Sequence, residues 1–135
     1  MNYGDVRTPA YNLIVIRGTQ YRKVALWRQK AAPLTPYDLS TLTARCEMRK
    51  EALDPSDTTP EAADLVLTSS SGITLGGTAG TVEIKITAAQ TRLLPEHGVY
   101  ELKLYQGEEP IVNFLHGSFT AVPEIALDAD PIPEL

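Results

Sequence analysis

The sequence contains a single cysteine, Cys46, among its 135 residues. A disulfide within the chain needs two cysteines, so that kind of stabilisation is excluded, and so is a zinc site built from several cysteines. Cys46 lies in an alternating stretch, on the same predicted face as Leu42, Ala44 and Met48. This alternation predicts a small residue buried in the core of a β-structure.

The sequence also lacks any apolar run that approaches the roughly 20 residues needed for a membrane-spanning helix. Residues 1–5 lack the basic start and the apolar stretch of a signal peptide. We therefore expect a soluble protein that is made in a cytoplasm and has no membrane partner. The chain length suits one domain, which can bury enough surface to form a core without covalent staples.

Basic residues are absent after Lys103, and the charge of the chain is divided unevenly. Residues 1–50 contain nine Lys or Arg and three acids, whereas residues 51–135 have a net charge of −11. The overall net charge of −5 argues against nucleic-acid binding, for which a basic face is expected. The uneven division is explained either by solubility or by complementary ends that attract copies or neighbours in an assembly.

Patterns typical of catalysis or of metal binding are scarce. His97 lies in a predicted turn, and His116 lies within a predicted strand beside Ser118, without the strained elbow or oxyanion loop of a serine nucleophile. The acidic group around Asp54 lacks the ligand spacing of a calcium loop, and the glycine-rich stretch 72–80 lacks the Gly-Lys-Ser/Thr ending of a phosphate loop. We expect a protein that is not an enzyme and binds no cofactor or metal.

The sequence does contain many short strand patterns, which are rich in β-branched and aromatic residues and are separated by turn residues. The predicted strands span 11–17, 21–28, 42–50, 64–68, 72–75, 81–86, 98–106 and 111–122. One short helix is predicted after the N-cap Thr87, with Gln90 completing a capping box and with Leu93 and Leu94 facing the core. Seven or eight strands with one helical turn predict an all-β, antiparallel sandwich of two sheets.

Three segments follow from this pattern: a flexible N-terminal lead (1–10), a β-sandwich domain (11–122) and an extended C-terminal arm (123–135). The arm contains three prolines and four acids together with large apolar residues. Its prolines exclude it from the interior of a sheet, and a purely solubilising tail does not need apolar side chains. Two interpretations stay open, a disordered tail or an arm that becomes ordered on a neighbouring subunit.

A set of aromatic and aliphatic residues is predicted to contact partners. These residues are Trp27, Tyr37, Ile125, Leu127, Ile132 and Leu135. The alternation around Trp27 does not decide which face of its strand is buried, because Val24 and Leu26 share one face while Ala25 and Trp27 share the other. Trp27 is therefore either a core residue or a contact residue, since its large ring suits both roles.

Several short motifs occur in a particular order along the chain, among them Ile-Arg-Gly-Thr at 16–19, Thr-Ala-Arg-Cys-Glu-Met-Arg at 43–49 and Gly-Val-Tyr-Glu-Leu at 98–102. The others lie at 11–13, 37–40, 65–68, 72–75, 86–91, 117–120 and 122–124. In this order they resemble small bacteriophage tail and baseplate proteins, and are similar to the N-terminal domain of siphophage upper baseplate proteins. The resemblance covers residues 11–124 and implies an immunoglobulin-like β-sandwich in a virion, with no catalytic residue to transfer.

Larger members of that family continue with receptor-binding or coiled-coil regions, whereas here the sandwich is followed by the short arm. This departure favours an adaptor, collar or decoration role. We expect a bacteriophage structural protein of the tail, neck or baseplate that is made in the host cytoplasm, is located in the virion and contacts other virion subunits in multiple copies. We expect no nucleic-acid partner.

Other functions stay open at this point. One is a capsid cement or decoration protein, and another is a free carbohydrate- or protein-binding sandwich. Aromatic residues gathered in one concave patch would favour the binding module, and the candidates are Tyr11, Tyr21, Trp27, Tyr37 and Tyr105. A pocket that joins His116 to a carboxylate would favour an enzyme.

Overall fold

The computed structural model describes residues 10–27 and 36–125. Within these ranges the strands are β1 (Leu13–Ile16), β2 (Tyr21–Leu26), β3 (Thr43–Arg49), β4 (Leu65–Thr68), β5 (Ile73–Leu75), β6 (Thr81–Ile86), β7 (His97–Gln106) and β8 (Glu109–Val122). A 3-10 turn occupies Gly77–Ala79, and a single α-helical turn, α1, occupies Ala88–Thr91. No helix in the described ranges is long and apolar enough to span a bilayer.

The strands form two packed sheets. One sheet has the order β1-β8-β7-β3-β4, and the other has the order β2-β6-β5. The placement of β7 between β8 and β3, and of β6 between β2 and β5, is the strand order of an immunoglobulin sandwich. The all-β sandwich predicted from the sequence is confirmed.

The first strand departs from the expected antiparallel pairing, because β1 runs parallel to β8 with Ile16 opposite Val122. The other strand pairs in the described ranges are antiparallel. β1 and β8 therefore finish at the same end of the sandwich. The turn at Gly18, with a φ of 79°, then leads the chain from β1 into β2 of the other sheet.

The core lies between the two sheets and is formed by alternate residues of the strands. On β3, Cys46 is 1% exposed and lies on the same buried face as Ala44 and Met48, which confirms its predicted core position. Alternate residues of β6 and β7 are buried as well, and they are Val82, Ile84, Ile86, Tyr100, Leu102 and Leu104. Because alternate positions of a strand face opposite sides, the remaining residues of these strands form the outer faces.

Helix α1 begins as predicted but ends early. The Thr87 hydroxyl accepts a hydrogen bond from the backbone N–H of Gln90, and the Gln90 side chain accepts one from the backbone N–H of Thr87, so the capping box is confirmed. The prediction that Leu93 faces the core is wrong, since Leu93 is 62% exposed. The helix stops at Thr91, and Leu93 therefore loses the helical spacing that would turn it inward, whereas Leu94 is buried.

A buried tyrosine connects the core to the start of β1. The Tyr100 hydroxyl donates a hydrogen bond of 2.5 Å to the backbone carbonyl of Tyr11. We predict that Tyr100→Phe lowers the free energy of unfolding by about 1–2 kcal/mol, because the carbonyl loses its donor in a partly buried place. Urea unfolding measures the change. The matched control Tyr105→Phe, on the outer face of the same strand, is expected to change stability by less than about 0.5 kcal/mol. Equal stability of the two variants would contradict the role given to Tyr100.

Candidate binding surfaces

The outer face of the five-stranded sheet contains a concavity of about 520 Å³ above β3, β7 and β8. The chain that follows β3 contributes one wall through Ala52 and Leu53. The register of β3 against β7 determines which side chains form the floor of the concavity, and it places Arg45 opposite Lys103. Glu47 and His116 both lie opposite Glu101, on either side of β7. The sheet therefore brings together charged residues that are far apart in the sequence.

The charges in the concavity are paired with one another. The Glu47 carboxylate accepts a hydrogen bond of 2.6 Å from the Arg49 guanidinium, and it lies 3.6 Å from the guanidinium of Arg45. Lys103 lies 3.0 Å from Glu101, and its hydrogen bond to that carboxylate raises the pKa of the lysine. Like charges directly opposite each other on a sheet are destabilising, so each of the two facing carboxylates needs its own basic neighbour. The result is a polar surface on which these charged side chains neutralise one another in ion pairs.

His116 lies in the same concavity as the carboxylates of Glu47 and Glu101, which is the arrangement that would favour an enzyme. Its Nδ1 is buried and has no hydrogen-bond partner within the described residues. Both carboxylates are already engaged, however, and Asn113 adds a hydrogen bond of 2.9 Å to Glu101. In the ranges that the structure describes, no group of three or more His, Cys, Asp or Glu side chains could hold a metal ion.

Trp27 belongs to the core. It is 7% exposed, and its ring stacks on that of Tyr37 with the centroids 4.1 Å apart. The ring of Phe114 lies tilted beside that of Trp27, with the centroids 5.9 Å apart. Of the two roles left open by the sequence, the structure therefore gives Trp27 the core role, and little of its ring is left for a partner. Tyr37 is partly exposed, and its predicted partner contact stays a prediction.

The candidate aromatic residues Tyr11, Trp27, Tyr37 and Tyr105 do not form one patch. Tyr105 lines the concavity, whereas Trp27 and Tyr37 stack on each other in and beside the core. Tyr11 lies at the start of β1, where Lys23 of β2 sits 4.4 Å from its ring centroid. The carbohydrate-binding hypothesis depended on a shared concave patch of aromatic rings, so this dispersal removes its main support.

Exposed aliphatic side chains are concentrated on the two edge strands β1 and β2. Ile14 and Ile16 of β1 are 70% and 54% exposed, and Val24 and Leu26 of β2 are 45% and 44% exposed. Among the described strands, β1 pairs only with β8, and β2 pairs only with β6. Fully burying one such side chain stabilises a complex by about 1.5–3 kcal/mol. Exposed apolar groups along open strand edges are typical of surfaces that another chain covers.

Side-chain hydrogen bonds fasten the chain to the sandwich at Glu124, just after β8. Arg92 donates two hydrogen bonds to the Glu124 carboxylate, at 2.9 and 2.8 Å, and Arg17 donates one of 2.9 Å to the Arg92 carbonyl. We call these three residues and Gly18 the exit cluster, because a Cβ on Gly18 would overlap the Glu124 carboxylate. Ile125 comes next and is fully exposed. The other arm residues predicted to contact partners lie outside the described residues, and they are Leu127, Ile132 and Leu135.

Sequence reasoning missed the exit cluster and the charged concavity. Arg92 and Glu124 are 32 positions apart, and no local pattern links them. The alternation in β2 does place Val24 and Leu26 on one face. It does not show whether that face is buried or exposed.

No protein-family model fits the chain, and no curated protein is significantly similar to it in sequence.

Proposed function

We propose that the protein is a structural subunit of a bacteriophage particle, a non-catalytic adaptor of the tail, neck or baseplate that is present in several copies. The observation that carries this proposal is the pair of edge strands, β1 and β2, with exposed aliphatic side chains on both. Natural monomers usually protect open sheet edges with charges, prolines or bulges, because such edges pair with other chains. In β2 the charged residues Arg22 and Lys23 are followed by the exposed Val24 and Leu26, and in β1 the exposed residues are Ile14 and Ile16.

Two further features support the same role. The order of the motifs along residues 11–124 resembles that of small tail and baseplate proteins. The outer face of the five-stranded sheet offers a balanced ladder of charges with hydrogen-bonding groups, which suits a specific contact between proteins. In this proposal the sandwich is a rigid block, and its edges, its concavity and the arm make the contacts with other virion subunits.

A capsid cement or decoration protein is the second candidate. It requires the same features, namely one rigid domain in many copies with edges that neighbours cover. The two roles differ in the part of the particle that carries the protein, so one fractionation separates them.

Purified particles of the phage that encodes this chain test the proposal. We expect mass spectrometry to find the protein in them in several copies, and to find it with the tails after heads and tails are separated. Recovery with the heads would favour the cement role. Deletion of the gene is expected to give particles with incomplete tails or baseplates under negative-stain electron microscopy. A protein that is found only free in the lysate, with normal particles in its absence, would contradict both roles.

A further inference from the structure

We infer that residues 124–130 of one copy add as a strand to the open edge of β2 in a second copy. The partner is thus another copy of this chain, held by backbone hydrogen bonds and by matched side chains. The inference deepens the proposed multi-copy role and rests on it for its biological setting.

The acceptor is the side of β2 that faces away from β6. The antiparallel register of β2 and β6 continues to Trp27, whose N–H donates to the Gly80 carbonyl at 2.9 Å. Because the backbone groups of successive residues in a strand point to opposite sides, those of Val24 and Leu26 point away from β6. Among the described strands none pairs with this edge. An unpaired edge of this kind is a template for strand addition.

The side chains along the acceptor edge alternate in character. Val24 and Leu26 are exposed on the outer face, whereas Lys23 lies on the other face, where its ammonium group donates to the Tyr11 hydroxyl at 2.5 Å. Residues 6–37 contain six Lys or Arg and no acid, whereas Glu83 of β6 lies opposite Val24 and is paired with Arg22.

The donor segment alternates in the complementary way. From 125 to 129, apolar residues occupy the odd positions, with Ile125 and Leu127 the largest, while the even positions from 126 to 130 hold Ala126, Asp128 and Asp130. Residues 124–130 contain no proline, so every N–H can donate to a neighbouring strand, and Pro131 ends the run. If Leu127 lies beside Val24 and Leu26 on the outer face, the side chains of Asp128 and Asp130 lie on the opposite face, which is the face of Lys23. Apolar groups then meet apolar groups, and acids meet the basic edge.

The exit cluster favours pairing between copies over pairing within one copy. The two hydrogen bonds from Arg92 hold Glu124 at the end of the sandwich, and Ile125 beyond it is fully exposed. Strand β8 ends and strand β2 begins at this end of the molecule. For the arm to pair with β2 of its own copy, the chain would have to reverse its direction within a residue or two of Glu124. A second copy can receive the arm without that reversal.

Disulfide trapping tests the inference directly in the full chain. One variant carries Val24→Cys and another carries Leu127→Cys, and the two are mixed under mild oxidation. The native thiol does not interfere, because Cys46 is 1% exposed. We expect a disulfide-linked heterodimer on a non-reducing gel. The control mixture replaces the first variant with Ile14→Cys, a more exposed aliphatic position on the other edge strand, and is expected to give at least tenfold less heterodimer.

Each alternative outcome overturns the inference. Equal trapping by the Val24→Cys and Ile14→Cys variants would mean random collision. A double variant, Val24→Cys with Leu127→Cys, that closes within a single chain at low concentration would place the arm on its own body. The absence of any disulfide, with full-length protein and a chain ending at Pro123 both monomeric by sedimentation, would show that the edge and the arm do not meet. Particle mass spectrometry is unaffected by these results, so the inference can fail while the proposed function stands, and the reverse.

Discussion

Trp27→Ala is expected to lower the free energy of unfolding by about 3–5 kcal/mol, the usual cost of removing a large aromatic side chain from a core. The physical reason is the loss of the buried ring together with its stacking on Tyr37 and its packing near Phe114. A cavity would remain, since β2 is held at its place by its ladder to β6 and cannot collapse into the space. Urea unfolding followed by circular dichroism measures the change.

Leu26→Ala is the matched control for this prediction, because Leu26 is the neighbouring residue and lies on the opposite, exposed face of the strand. We expect it to change the stability of the isolated protein by less than about 1 kcal/mol, as is usual for surface substitutions. The opposite ranking, with Leu26→Ala the more damaging variant, would mean that the two faces of β2 had been assigned the wrong way round. It would return Trp27 to the role of a contact residue.

Alkaline solution is expected to destabilise the protein from about pH 9 upward. Burial raises the pKa of the Cys46 thiol from 9.0 to about 12, with smaller contributions from the nearby carboxylates of Glu47 and Glu101. The thiol therefore stays neutral in the folded protein at pH values where it ionises in the unfolded chain. Its contribution to stability is fully present below pH 9 and is lost as the pH rises toward 12, by about 1.4 kcal/mol per pH unit and about 4 kcal/mol in total.

Denaturant unfolding at a series of pH values from 8 to 12 checks this expectation, with Cys46→Ala as the comparison. The substitution removes the ionisable thiol, so the slope of stability against pH is expected to become shallower by about 1.4 kcal/mol per unit above pH 9. Some slope will remain above pH 10, because burial also raises the pKa of Tyr100. Identical slopes in the two proteins would mean that the Cys46 thiol ionises as easily in the folded state as in the unfolded state.

These two predictions concern the body of the protein, whereas its contacts with partners depend on other residues. The core is formed by inward-facing positions such as Trp27 and Cys46. The candidate contacts are the outward positions of the edge strands, the charged concavity and the segment after the exit cluster. Because the two sets hardly overlap, variants such as Val24→Cys can test association without unfolding the sandwich.

Local patterns in the sequence were sufficient for much of the fold. The alternation of apolar and polar residues correctly predicted that Cys46 is buried, because a strand turns successive side chains to opposite faces. The capping box at Thr87 and Gln90 was predictable for a similar reason, since its two hydrogen bonds join residues only three positions apart. These features depend on neighbours in the chain and need no knowledge of the remaining structure.

The tertiary structure decided which of two possible faces or directions each element uses. Both faces of β2 are partly apolar, and only the packing of Trp27 on Tyr37 shows that Val24 and Leu26 are outside. The parallel course of β1 beside β8 depends on pairing between strands that are far apart in the sequence. The concavity and the pair formed by Arg92 and Glu124 join residues tens of positions apart. Such contacts are set by strand order and register, which no local sequence pattern specifies.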